Sequence, residues 1–66
     1  MEYTNSQIRT LIDEHIHHAT DRQMLYMRLV DGRTFEEISE QVQLDPKTVR
    51  KRIHKAEEIL FAHLPG

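Results

Sequence analysis

Apolar residues recur at helical spacing along almost the whole chain. Ile8, Leu11, Ile12, His15, Ile16 and Ala19 fall on one face of a helical wheel, which predicts a first helix over 5–18 capped by Asn5 or Ser6. Thr20 followed by Gln23 has capping-box spacing and opens a second predicted helix over 21–31, carrying Met24, Leu25, Met27, Leu29 and Val30 and ending at Gly32. Thr34 with Glu37 repeats that spacing before Phe35, Ile38 and Val42, a short third helix over 35–42. Asp45 is a good cap and Pro46 suits a first helical position, so the fourth helix runs over 46–63. With two glycines, two prolines and no alternating strand pattern, the expectation is one all-α, four-helix domain over 1–66.

Composition narrows the chemistry. At 66 residues and 38% hydrophobic content there is material for one small core. Cysteine is absent, which removes disulfides, thiolate metal sites and thiol nucleophiles. The longest apolar run, Ile59 to Ala62, is far too short for a bilayer, so no membrane partner is expected. The first residues, Met1 to Asn5, form no secretory signal, and the expected location is cytoplasmic. Nothing resembles a Gly-rich phosphate loop or a nucleophile–base pair, so no enzyme and no cofactor are expected.

The net charge of −2 conceals a strong asymmetry. Residues 1–45 hold four arginines against nine acids, a balance of −5, whereas 46–66 hold five basic residues against Glu57 and Glu58, a balance of +3. All five positive charges fall between Lys47 and Lys55. With Val49 at the origin of the wheel, Ile53, Ala56 and Leu60 face the core. Lys47, Lys51, His54 and Lys55 lie opposite, flanked by Thr48 and Arg50. A short capped helix, a three-residue turn and a longer basic helix form a helix-turn-helix pattern, whose second helix enters the major groove of duplex DNA.

These residues also resemble a known family. Asp31-Gly32, Phe35-Glu36-Glu37-Ile38, Thr48-Val49-Arg50 and Arg52-Ile53-His54-Lys55-Ala56 resemble the C-terminal, −35-reading region of bacterial sigma factors, most closely the extracytoplasmic-function type. Upstream, Met24 to Leu29 resembles the preceding helix, so the likeness covers roughly residues 20–60. Pro46 to Arg50 is similar, too, to the output domains of quorum-sensing activators and response regulators. By this resemblance Lys47, Thr48, Arg50 and Lys51 match base-contacting positions, and Thr34 matches a phosphate-contacting one at a helix N-terminus. Charge and position add Arg33, Arg52 and Lys55 as phosphate contacts. His54 joins them as a contact or stays idle on the surface. Arg52 flanks the core face, so pairing with Glu36 or Glu40 is its alternative. Two positions depart from the family pattern. Gln43 stands at the turn where Gly is usual, and a left-handed backbone there would cost about 1 kcal/mol. Ser39 replaces the customary Ala.

The chain has no room for a −10-reading region, so the expectation is a free-standing regulator of the kind found in phages and mobile elements, or a piece of a longer protein. A second function class stays open: a protein-interaction module docking on RNA polymerase or a sigma factor. The crowding of Glu14, His15, His17 and His18 invites a metal reading, but only Glu14 with His18 has a helical ligand spacing, and two ligands make no zinc site. His15 is expected half-buried, with His17 and His18 on the surface. Phe61 lies near Lys47 and His54 on the wheel, away from the core. Together with Ile59 and Leu64 it forms the expected homodimer interface, unless the first helix folds back over Phe61.

Overall fold

The computed structural model describes residues 3–63. Helix α1 (Asn5–His15) starts from Thr4, whose hydroxyl accepts from the Gln7 N–H at 3.2 Å while Gln7 Oε1 accepts from the Thr4 N–H at 2.8 Å. The expected cap at Asn5 or Ser6 is therefore corrected to Thr4. A reciprocal box needs Gln or Glu three residues on, and Asn5 and Ser6 meet Ile8 and Arg9 there instead.

The first helix is also shorter than periodicity predicts. Ile16 leaves it in an extended conformation (φ −107°, ψ 111°) yet stays buried, so it reaches the core from a connecting segment. Once the helix breaks there, Ala19 loses its place on the apolar face and is exposed.

Helix α2 (Ala19–Leu25) begins after His18, and Thr20 lies inside it, so the expected Thr20–Gln23 box does not form. The earlier start places Asp21 in the first turn, where the helix dipole favours a carboxylate. It also lets Arg22 hold two carbonyls of the connection: its N–H bonds His18 at 3.0 Å and its guanidinium meets Ile16 at 3.4 Å.

Beyond Leu25 the helix widens into a π-helical turn over Tyr26–Val30. The Asp31 N–H closes it onto the Tyr26 carbonyl at 3.1 Å, and the Arg33 N–H reaches back to Met27 at 2.9 Å. Gly32, at φ +68°, supplies the reversal that makes the second bond geometrically accessible. Tyr26 donates its hydroxyl to the Asp13 carboxylate and so ties this turn to α1; that bond raises the phenol above its ordinary pKa.

Helices α3 (Phe35–Val42) and α4 (Pro46–Ala62) follow the predicted bounds, α4 to within a residue. Val49, Ile53, Ala56 and Leu60 line the inner face of α4 and meet Ile12, Ile16, Met24, Leu25, Met27 and Ile38 in one core. Phe35, Val42 and Leu44 pack on its flank. Ser39 is buried as well, with its hydroxyl donated to the Glu36 carbonyl at 2.8 Å, so the hydroxyl that replaces the customary methyl has a partner.

The turn between α3 and α4 adopts the strained form anticipated for it. Gln43 sits at φ 57°, ψ 43°, and its N–H caps the Ser39 carbonyl, which also accepts from Leu44 at 3.2 Å. Gln43→Gly is expected to raise stability by about 1 kcal/mol, because the left-handed backbone carries no Cβ penalty in glycine. Urea unfolding would show it as a higher midpoint at constant slope. A lower midpoint would mean that the Gln43 side chain contributes more than its backbone costs.

Candidate nucleic-acid interface

The cap of α3 presents a helix N-terminus to solvent. The Thr34 hydroxyl accepts from the Glu37 N–H at 3.2 Å, and Glu37 Oε1 accepts from the Thr34 N–H at 3.0 Å. Donation from the Thr34 N–H first, and from the Thr34 side chain second, holds the Glu37 carboxyl below the usual carboxylate range. The Thr34 N–H is thus already committed. The first-turn N–H groups of Phe35 and Glu36 remain as donors for an approaching anion. Arg33, just before the cap, is exposed.

Asp45 starts α4 by accepting the Lys47 N–H at 2.8 Å, and Pro46 occupies the position where no N–H is needed. Because Val49 and Ile53 are pinned in the core, the helix rotation is fixed. Lys47, Thr48, Arg50, Lys51, His54 and Lys55 are all exposed. No acid interrupts the helix from Pro46 to Ala56; Glu57 and Glu58 come only beyond that point. The result is a continuous cationic surface on the N-terminal half of the helix, carrying both point charges and the planar donors that pair with base edges.

Phe35, expected from the sequence only in the core, anchors a cluster beside this surface. The Phe35 ring, half-buried, has the Arg28 guanidinium 4.4 Å and the Arg50 guanidinium 5.2 Å from its centroid. The His54 ring lies 6.3 Å away at 36°. Arg28 is anchored further by donating to the Arg33 carbonyl at 2.9 Å. No sequence signal flags Arg28, since it stands on another helix and outside the basic run.

Arg52 pairs with an acid, but on α2 rather than on α3. Its guanidinium lies 2.8 Å from Asp21 Oδ1 on α2 and 3.3 Å from His18 Nδ1, not against Glu36 or Glu40. Its position on the flank of α4 faces α2, and both partners of the pair are partly buried. Arg52 thereby joins α2 to α4, and its charge is matched within the fold.

The histidines are distributed as anticipated, with one addition. His15 is partly buried, while His17 and His18 are exposed. The His15 ring stacks on His63 with centroids 3.9 Å apart and planes within 2°. Among the described residues no group of three His, Asp or Glu side chains could hold a metal ion. Ile59 and Phe61 are 44% and 49% exposed, so α1 does not fold back over Phe61. Leu64, the third expected interface residue, lies outside the described residues. No helix among the described residues is long and apolar enough to cross a membrane.

No curated protein and no solved structure matches the chain. Residues 18–60 do match a family model, that of sigma-70 region 4, an all-α family of DNA-binding helix-turn-helix domains. The match begins at the cap of α2 and ends at the last core residue of α4, so it encloses every element that shapes the cationic surface. With that agreement between motif, helix order and matched span, the chain belongs to the sigma-70 region 4 family.

Proposed function

We propose that this domain binds duplex DNA sequence-specifically and regulates transcription, with the N-terminal half of α4 in the major groove. The observation that carries the reading is the uninterrupted row of exposed donors on α4 opposite its core stripe. Lys47, Thr48, Arg50 and Lys51 read bases, Arg and Lys toward guanine and Thr toward several partners. Arg33, Lys55, His54 and the Thr34 end of α3 meet phosphates and set the register. Arg52, matched by Asp21, serves as a strut between α2 and α4 rather than as a free phosphate contact. The exposure of Ile59 and Phe61 on α4 supports a second copy of the chain as their cover, which would double the length of DNA read.

Fluorescence anisotropy with a random duplex pool, titrated in salt, tests the reading. Four to six phosphate contacts predict a log–log slope of roughly −4 to −5, so affinity should fall by roughly 250- to 1,000-fold between about 50 and about 200 mM salt. Absence of binding even at the lower salt would remove the DNA face. The acidic balance of −5 over residues 1–45 would then favour the other reading, a module docking on RNA polymerase or on a sigma factor, which co-purification without DNA would reveal.

A further inference from the structure

Phe35 is the first residue of α3, and its ring is only partly covered by the core. The uncovered part carries charge. Arg28 and Arg50, from different helices, both bring their guanidiniums over it, at 4.4 and 5.2 Å. The electron-rich face of an aromatic ring attracts a cation, which is how two like charges come to share one ring.

The two arginines differ in freedom. Arg28 is tied to the Arg33 carbonyl at 2.9 Å, and the Arg33 N–H is itself bonded to Met27, so this guanidinium is set by the backbone that leads into α3. Arg50 has no hydrogen bond and no acidic partner among the described residues. Its donors are all available, and the ring contact alone restricts it.

We propose that Phe35 is a positioning residue for Arg50. The ring holds the guanidinium beside the base-reading face of α4 before DNA arrives, and Arg28, tied to the Arg33 carbonyl, disfavours Arg50 rotamers that would bring the two charges closer. A long exposed side chain otherwise loses its rotamer freedom on binding, and restricting it beforehand lessens that loss. The proposal rests on the reading of α4 as the base-reading helix.

The test is a double-mutant cycle on Phe35 and Arg50, read as discrimination between a duplex selected from the random pool and its single-base-pair variants. Phe35→Leu keeps apolar volume against the core and removes the aromatic face, and Phe35→Tyr keeps the face. The expected result is that Arg50→Ala lowers discrimination at one base pair and Phe35→Leu lowers it at the same pair by about threefold. Phe35→Tyr retains it, and Phe35→Leu adds nothing in the Arg50→Ala background. Arg28→Gln removes the second charge from the Phe35 ring and its bond to the Arg33 carbonyl while leaving the aromatic face in place; it is expected to reproduce the loss with the helical circular dichroism of the parent retained.

An equal loss from Phe35→Leu in both backgrounds would reduce Phe35 to a structural role and overturn the proposal. So would full discrimination in Phe35→Leu and Arg28→Gln while Arg50→Ala still loses it, an outcome that leaves the reading of α4 standing. Unchanged discrimination in Arg50→Ala would remove α4 as the reader, and the positioning role with it.

Discussion

Ile53→Ala is expected to remove most or all of the folding free energy of this domain at 25 °C. Ile53 is fully buried at the middle of α4, between Val49 and Ala56 on the face that meets α2 and α3. Removing a buried isoleucine to alanine costs about 2–5 kcal/mol, from the lost transfer of its methyl and methylene groups and from the cavity left behind. Alanine is the better helix former, but by only a few tenths of a kcal/mol, which does not offset that loss. A domain of this length has a margin of only about 3–5 kcal/mol, so the substitution consumes most or all of it. Circular dichroism at 222 nm should show loss of the cooperative thermal transition. Ile59→Ala, on the same helix but 44% exposed, should stay within about 0.5 kcal/mol of the parent. A cooperative melt of Ile53→Ala near the parent midpoint would mean that the stability resides elsewhere than in the α4 seam.

The second large effect concerns binding rather than folding. Arg50→Ala and Lys51→Ala should each weaken binding to the selected DNA site by about 1–3 kcal/mol while leaving the melting curve in place, because both side chains are exposed and neither contributes to the core. The loss should be larger on the selected site than on random duplex, since a base contact distinguishes sequences and a phosphate contact does not. Lys55→Ala provides the contrast. It should weaken binding to all duplexes alike and make the salt slope shallower by about one. Anisotropy on both kinds of duplex measures the difference. If both Arg50→Ala and Lys51→Ala matched the parent on the selected site, the N-terminal half of α4 would not be the reader, and the cationic surface would need another partner.

Much of the site is legible from local pattern. Thr34 with Glu37 and Asp45 with Pro46 mark the starts of α3 and α4 because capping depends on residues within one turn of each other. The core stripe of α4 and its opposite basic face follow from a single period, so fixing Val49 inward places Lys47, Lys51 and Lys55 outward. The left-handed Gln43 stands where the family resemblance places a Gly, so it is legible from that resemblance rather than from the local pattern.

The caps of α1 and α2 differ from the expected ones. Thr4 rather than Asn5 or Ser6 caps α1, because only Thr4 has a Gln three residues on to complete the box. Thr20 satisfies the same spacing rule and still loses, because α2 begins earlier, with Asp21 in its first turn and the connecting carbonyls bound by Arg22.

The sequence alone thus determined the helix count, the capped starts of α3 and α4, the inner stripe of α4 and the cationic surface opposite it. Each depends on residues a few positions apart, for which helical geometry leaves one arrangement. Only the tertiary structure decided that Ile16 enters the core from outside a helix, that α2 ends in a wide turn, that Arg52 meets Asp21, and that Phe35 underlies both Arg28 and Arg50. Those partners are distant in sequence, and they come together through the crossing of helices too short to be stable alone, whose mutual packing fixes which side chains meet.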